Sequence, residues 1–170
     1  MGSKMTYMLC KGLLLALLIV YVVRGCPNGW ETFDGSCYFV SDFIEDWTTA
    51  STACRLYHAH LVEVIDAKEE NFLKQIISNY HAGHRDVVDY WIGGNDMFVE
   101  GDWRWIHSDQ RVNYTNWHHG EPNNYHHQGE DCMLVFINSR QLYKWDDRQC
   151  TEKHNFICEL GDDTAGIVIG

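Results

Sequence analysis

Residues 117–132 read Trp-His-His-Gly-Glu-Pro-Asn-Asn-Tyr-His-His-Gln-Gly-Glu-Asp-Cys. Carboxylate and amide oxygens crowd this stretch. Asp96 and Glu100 precede it and Trp145-Asp146-Asp147 follows. Hard oxygen donors at this density suit Ca2+, which takes about 6–8 of them. The chain carries no EF-hand loop pattern, so a calcium site has to be assembled from separate loops. Composition alone leaves a solvated acidic loop as the alternative. Pro122 lies between two oxygen-bearing residues, and a cis bond there would aim both side chains at one point. Gly120 and Asn124 can support the tight bend this needs. His118, His119, His126 and His127 flank the stretch and read as exposed loop residues. Ser and His occur, but no nucleophile elbow or metalloprotease motif does, so the chain does not read as an enzyme.

The rest of the chain sets the context for these groups. It has 170 residues, a net charge of -11 and seven cysteines. The acidic balance argues against nucleic acid as a partner, since phosphate binding needs clustered Lys and Arg. Residues 1–25 have the layout of a secretory signal peptide: basic Lys4 and Lys11, the apolar run Gly12–Val23, and small or aliphatic residues before Cys26. That run is too short to span a membrane. Cleavage after Gly25 removes three basic residues and no acid, leaving 10 basic side chains against 24 acidic ones, a net charge of -14. It also removes Cys10. Cys26, Cys37, Cys54, Cys132, Cys150 and Cys158 remain, an even set that reads as a disulfide framework in a secreted domain. Spacing does not choose among its possible connectivities.

Helices are expected first and strands later. Asp46 looks like an N-cap for a helix whose stripe is Trp47, Ala50, Cys54 and Tyr57. Leu61–Ile65 reads as a short strand. Asp66 and Glu69 resemble a capping box opening a second helix with Phe72, Leu73, Ile76, Ile77 and Tyr80 on its core face. Further strands are expected at 37–40, 91–94, 103–106, 132–137, 142–145 and 155–158. Trp91, Trp103, Trp105 and Trp117 read as core residues. Two helices followed by several strands make an α+β domain.

Taken in order, the residues Trp47, Ala50 and Cys54, Trp91-Ile92-Gly93-Gly94, Glu121-Pro122-Asn123, Glu130-Asp131-Cys132, Trp145-Asp146-Asp147, Cys150 and Cys158 resemble a C-type lectin domain. The likeness covers residues 26–160, leaves 161–170 as a short tail, and is nearest to soluble single-domain invertebrate lectins of the perlucin type. It implies a C-type lectin-like fold: two helices, short antiparallel sheets, a long calcium-binding loop region and three disulfides. The implied pairs are Cys26–Cys37, Cys54–Cys158 and Cys132–Cys150.

The same resemblance assigns a sugar-binding Ca2+ site to Glu121, Asn123, Glu130, Asp146 and Asp147. Glu121, Asn123, Glu130 and Asp146 would also contact the carbohydrate. A second Ca2+ site would use Asp96, Glu100, Asn124, Glu130 and Asp131. Glu-Pro-Asn order implies mannose, GlcNAc or fucose ligands rather than galactose. Asp146 stands where the family usually has Asn, and an ionised carboxylate cannot donate a hydrogen bond. The implied role is a secreted lectin for glycans on microbial or cell surfaces, without membrane insertion and with any homo-oligomer built from the domain's own face or tail. The alternative is an extracellular shell-matrix protein that binds calcium carbonate. Asn113-Tyr114-Thr115 is an N-glycosylation sequon.

Overall fold

The computed structural model describes residues 25–80, 88–125, 129–137 and 143–161. The expected signal segment and tail lie outside these, apart from Gly25 and Gly161, and so do His126 and His127. Ten elements follow in order: β1 (Glu31–Phe33), β2 (Ser36–Val40), α1 (Trp47–Leu56), β3 (His60–Leu61), α2 (Ala67–Tyr80), β4 (Val88–Asn95), β5 (Arg104–Trp105), β6 (Cys132–Ile137), β7 (Tyr143–Arg148) and β8 (Asn155–Leu160). The strands run β1-β2-β8-β4-β6-β7, with β3 on β8 and β5 on β4. Every pairing is antiparallel except β4 with β8. The short antiparallel sheets expected are there, and the one parallel join links strands far apart in sequence, which no hairpin turn signals.

Both helices start where their side chains satisfy the first free N–H groups. Asp46 caps α1, accepting the Thr49 N–H at 2.9 Å and the Thr49 hydroxyl at 2.8 Å. Trp47, Ala50, Ser51 and Cys54 make its buried face. Tyr57 is no part of that stripe. It is the C-cap and is exposed, with its ring against Trp30. At α2, Asp66 accepts the Lys68 and Glu69 N–H groups at 2.8 and 2.9 Å. The reciprocal half of the capping box is displaced by one residue, because Glu69 accepts from Ile65 N–H at 2.9 Å instead. Its other oxygen takes the Tyr38 hydroxyl at 2.8 Å, tying α2 to β2.

The strand expected over Leu61–Ile65 is only two residues long, at 60–61. Beyond it the backbone bonds outward: Val62 donates to Ile157 and its carbonyl accepts from Gly93. Gly93 is needed at that crossing, since a Cβ there would lie 2.8 Å from the Leu61 carbonyl oxygen. The register of β4 against β6 shifts between Trp91 and Asn95, around this glycine pair.

Two apolar clusters form the core. One gathers α2, Tyr90, Ile92, Trp103, Trp105 and Trp145, with Trp117 packed partly buried against it. The other gathers α1, Trp91, Leu134 and Phe156 around two disulfides. The tryptophans therefore fill the interior as expected, and Trp47 and Trp91 spend their indole N–H groups on the carbonyls of Ile92 and Glu45. The bridges are Cys26–Cys37, Cys54–Cys158 and Cys132–Cys150, the pairing the resemblance implied. Cys54–Cys158 joins α1 to β8 across 104 residues. Among the described residues no helix is long and apolar enough to cross a membrane.

Candidate functional site

The site sits at the end of the β6–β7 hairpin. In this hairpin Met133 pairs with Asp147 and Leu134 with Asp146. Because side chains alternate across a strand, the two adjacent carboxylates leave β7 on opposite faces. Asp147 shares a face with Trp145, and Asp146 shares one with Arg148. Trp145 holds the loop that carries the other candidate residues. It accepts His118 N–H at 2.8 Å and donates to the Asn116 carbonyl at 3.0 Å, so residues 116–118 run beside β7.

From there the chain folds back on itself. Glu121 N–H returns to the His118 carbonyl at 3.0 Å over Gly120, whose φ is 98°. The Glu121–Pro122 bond is cis, as the sequence made possible. Asp147 secures the segment by accepting Asn123 N–H at 3.0–3.1 Å and Asn124 N–H at 2.7 Å. Asn123 donates its amide to the Glu121 carboxylate. Glu130 accepts Tyr125 N–H at 2.6 Å.

Carboxylates converge here. Glu121, Asp146 and Asp147 each offer an oxygen, and these atoms lie within 4.8 Å of one another. Asp146 and Asp147 are buried and Glu121 is half-buried. Burial, reinforced by Asp146 and Asp147, pushes the Glu121 carboxyl up to about 7. Burial likewise raises Asp146, against the pull of Arg148, and raises Glu130.

A second acidic group adjoins the first. Asp96 is buried; one of its oxygens accepts Gly101 N–H at 2.8 Å. The other has no hydrogen-bond partner among the described residues. Burial, with Glu100, Asp131 and Asp147 nearby, pushes its carboxyl up to about 6 despite the Gly101 bond. Asn124, at φ 42°, donates to Glu100 and accepts from Gly129 and Glu130 N–H groups at 3.0 and 3.3 Å. An orphaned buried carboxylate oxygen amid like charges is costly as it stands, and a cation relieves it. The donor set is oxygen throughout. Both groups therefore fit a divalent hard cation such as Ca2+.

The structure thus brings Glu121, Asn123, Asp146 and Asp147 together, with Glu130 beside them, and gathers Asp96, Glu100, Asn124 and Asp131 next door. Sequence reasoning missed Asp89, Phe136 and Arg148. Arg148 grips Asp146 with both terminal nitrogens, Nη1 to Oδ1 at 2.8 Å and Nη2 to Oδ2 at 2.6 Å. The expected strand stopped at Trp145, and only a strand continuing to Arg148 puts residues 146 and 148 on one face. Asp89, His118, Glu121, Phe136, Asp146 and Arg148 line an open cleft of about 330 Å³. His118 is half-buried rather than exposed, its ring edge-on to Phe136. Asn113 is exposed, outside every strand.

A family model described as a lectin C-type domain matches residues 44–160. A perlucin-like protein of Mytilus galloprovincialis is 34% identical over 155 residues, covering 85% of this chain and 95% of its own. The solved carbohydrate-recognition domain of the mouse scavenger receptor C-type lectin is 33% identical, with a TM-score of 0.68 over 81% of this chain and 98% of that one. The cow carbohydrate-recognition domain of CD23, solved in the presence of a GlcNAc2Man3 oligosaccharide, is 32% identical. Its TM-score is 0.65 over 80% of this chain and 95% of that one.

Proposed function

Because the chain belongs to the C-type lectin domain family, a carbohydrate-binding family, we propose that it is a secreted calcium-dependent lectin for mannose-type sugars. The observation that carries this reading is the convergence of Glu121, Asp146 and Asp147 beside the cis Glu121–Pro122 bond. Glu121, Asn123, Glu130, Asp146 and Asp147 would hold the sugar-binding Ca2+. Asp96, Glu100, Asn124, Glu130 and Asp131 would hold a second ion that braces the loop. Bound in the first site, Ca2+ would supply a hard Lewis acid for sugar hydroxyls.

The chain's own residues supply the rest. Glu121 and Glu130 accept hydrogen bonds from those hydroxyls, and the Asn123 amide donates one. Asp147 holds the Asn123 and Asn124 backbone in place, so the ligands stand ready before the sugar arrives. Glu121 before the proline and Asn123 after it place acceptor and donor to suit vicinal equatorial hydroxyls, as in mannose, GlcNAc and fucose. Residues 1–25 direct export, Asn113 can carry a glycan, and recognition of microbial surfaces is the role we assign. A single sugar site gains useful strength on such a surface when copies associate. A glycan array in calcium, repeated with EDTA, tests the reading. Mannose-type binding that EDTA abolishes is expected. Binding to galactose alone overturns the specificity, and binding that survives EDTA overturns the mechanism.

A further inference from the structure

Asp146 leaves the site one donor short. An ionised carboxylate only accepts, so it cannot give the second sugar hydroxyl the N–H that an amide at this position would give. The Asn123 amide gives one N–H to Glu121 and has one left for the first hydroxyl. Arg148 stands two residues along the same strand face. It holds both Asp146 oxygens and also donates from Nη1 to the Asp147 carbonyl at 2.8 Å. A guanidinium has five N–H donors. Nη1 spends both of its hydrogens, and Nη2 adds an ion pair to Asp146. Nε–H and one Nη2–H have no partner among the described residues, and about a third of the Arg148 side chain is exposed. Arg148 lines the same 330 Å³ cleft as Glu121.

Resting on the lectin reading above, we propose that Asp146 and Arg148 act as one recognition unit. In it the guanidinium gives the sugar the hydrogen bond that the carboxylate cannot. Asp146 fixes the guanidinium plane, and Arg148 reads the ligand. The Phe136 and His118 rings give the wall an apolar face for the C–H side of a neighbouring sugar unit.

Three variants test the unit: Arg148→Met, Asp146→Asn, and the two combined. Binding to mannosylated albumin in calcium is measured for each, and calcium binding is followed separately by the calcium-dependent rise in melting temperature. Arg148→Met should weaken sugar binding about tenfold or more, since hydrogen bonds to charged groups are worth that much. Its calcium midpoint should hold or tighten, because Asp146 is freed. The double variant, with an amide donor at 146, should recover binding to within about threefold of wild type. Arg148→Met binding as wild type does, or a double variant no better than Arg148→Met, overturns the role of Arg148 and leaves the lectin reading standing. Wild type that binds no neutral sugar in calcium overturns both.

Discussion

Asp147 carries two loads that can be separated by experiment. It is 1% exposed and accepts the backbone N–H groups of Asn123 and Asn124. It is also one of three carboxylates within 4.8 Å of one another. Asp147→Ala orphans both N–H groups. An unsatisfied donor costs about 1–3 kcal/mol, and Asn123 is exposed enough for water to compensate in part, so the lower end applies. The two together cost about 2 kcal/mol. Release of repulsion on Glu121 and Asp96, which Asp147 raises, returns some of this. At roughly 4 °C per kcal/mol for a domain of this size, the metal-free melting temperature should fall by about 4–8 °C. Asp147→Asn keeps a side-chain carbonyl to accept from Asn124 and should lose about half as much. In calcium both variants should lose most of the stabilisation that the ion gives wild type, because each lacks the carboxylate. Thermal melts of the three proteins, in EDTA and in calcium, give all six numbers. Asp147→Ala melting with wild type in EDTA would refute the bracing role. Asp147→Asn keeping the full calcium response would refute the ligand role.

Three more outcomes follow from the fold. Gly93→Ala puts a methyl 2.8 Å from the Leu61 carbonyl oxygen and 3.2 Å from that of Val62, both backbone atoms with little room to move; urea unfolding should show a loss of about 1–3 kcal/mol, and an unchanged midpoint would refute the close approach. Loop-closure entropy ranks the bridges, so replacing Cys54 and Cys158 by alanine should cost about 4.7 kcal/mol and replacing Cys26 and Cys37 about 2.8 kcal/mol; the reverse order in denaturant titrations would contradict the ranking. Burial, aided by Glu159 and Asp66 and opposed by the Ile65 and Tyr38 hydrogen bonds, pushes the Glu69 carboxyl up to about 7. Its folded value exceeds its unfolded one, so its contribution is fully present below about 4.5 and is lost as pH rises through about 7. Glu69→Gln should therefore flatten the decline in unfolding free energy between pH 5 and 8 in EDTA, and an equally steep decline would rule Glu69 out as its source.

Local patterns were legible because local physics decides them. Asp46 was readable as a cap because its partner is the N–H three residues on. The tryptophans were readable as core because their area is too large to leave in water. The candidate ligand residues stood out through residue type and order, as did the proline between Glu121 and Asn123. The disulfide pairing came from resemblance, since spacing left every connectivity open. Misreadings arose where distant segments compete for the same groups. Val62 leaves the strand ladder because Ile157 and Gly93 claim its backbone, and Glu69 leaves the capping box because Ile65 and Tyr38 claim its oxygens.

The amino-acid sequence by itself determined which groups this protein can bring to a cation and a sugar: hard oxygens, one amide donor, and an aspartate in place of the usual asparagine. Residue chemistry is carried by each side chain wherever it lies. Only the tertiary structure decided which groups meet. Asp89, His118, Glu121, Phe136, Asp146 and Arg148 reach one cleft because β4, the 116–121 loop, β6 and β7 are laid side by side. The grip of Arg148 on Asp146 depends on β7 running on through residue 148, which sequence periodicity did not reveal. That continuation is set by pairing with β6, where Cys132 opposes Arg148, so the decisive contact comes from another strand.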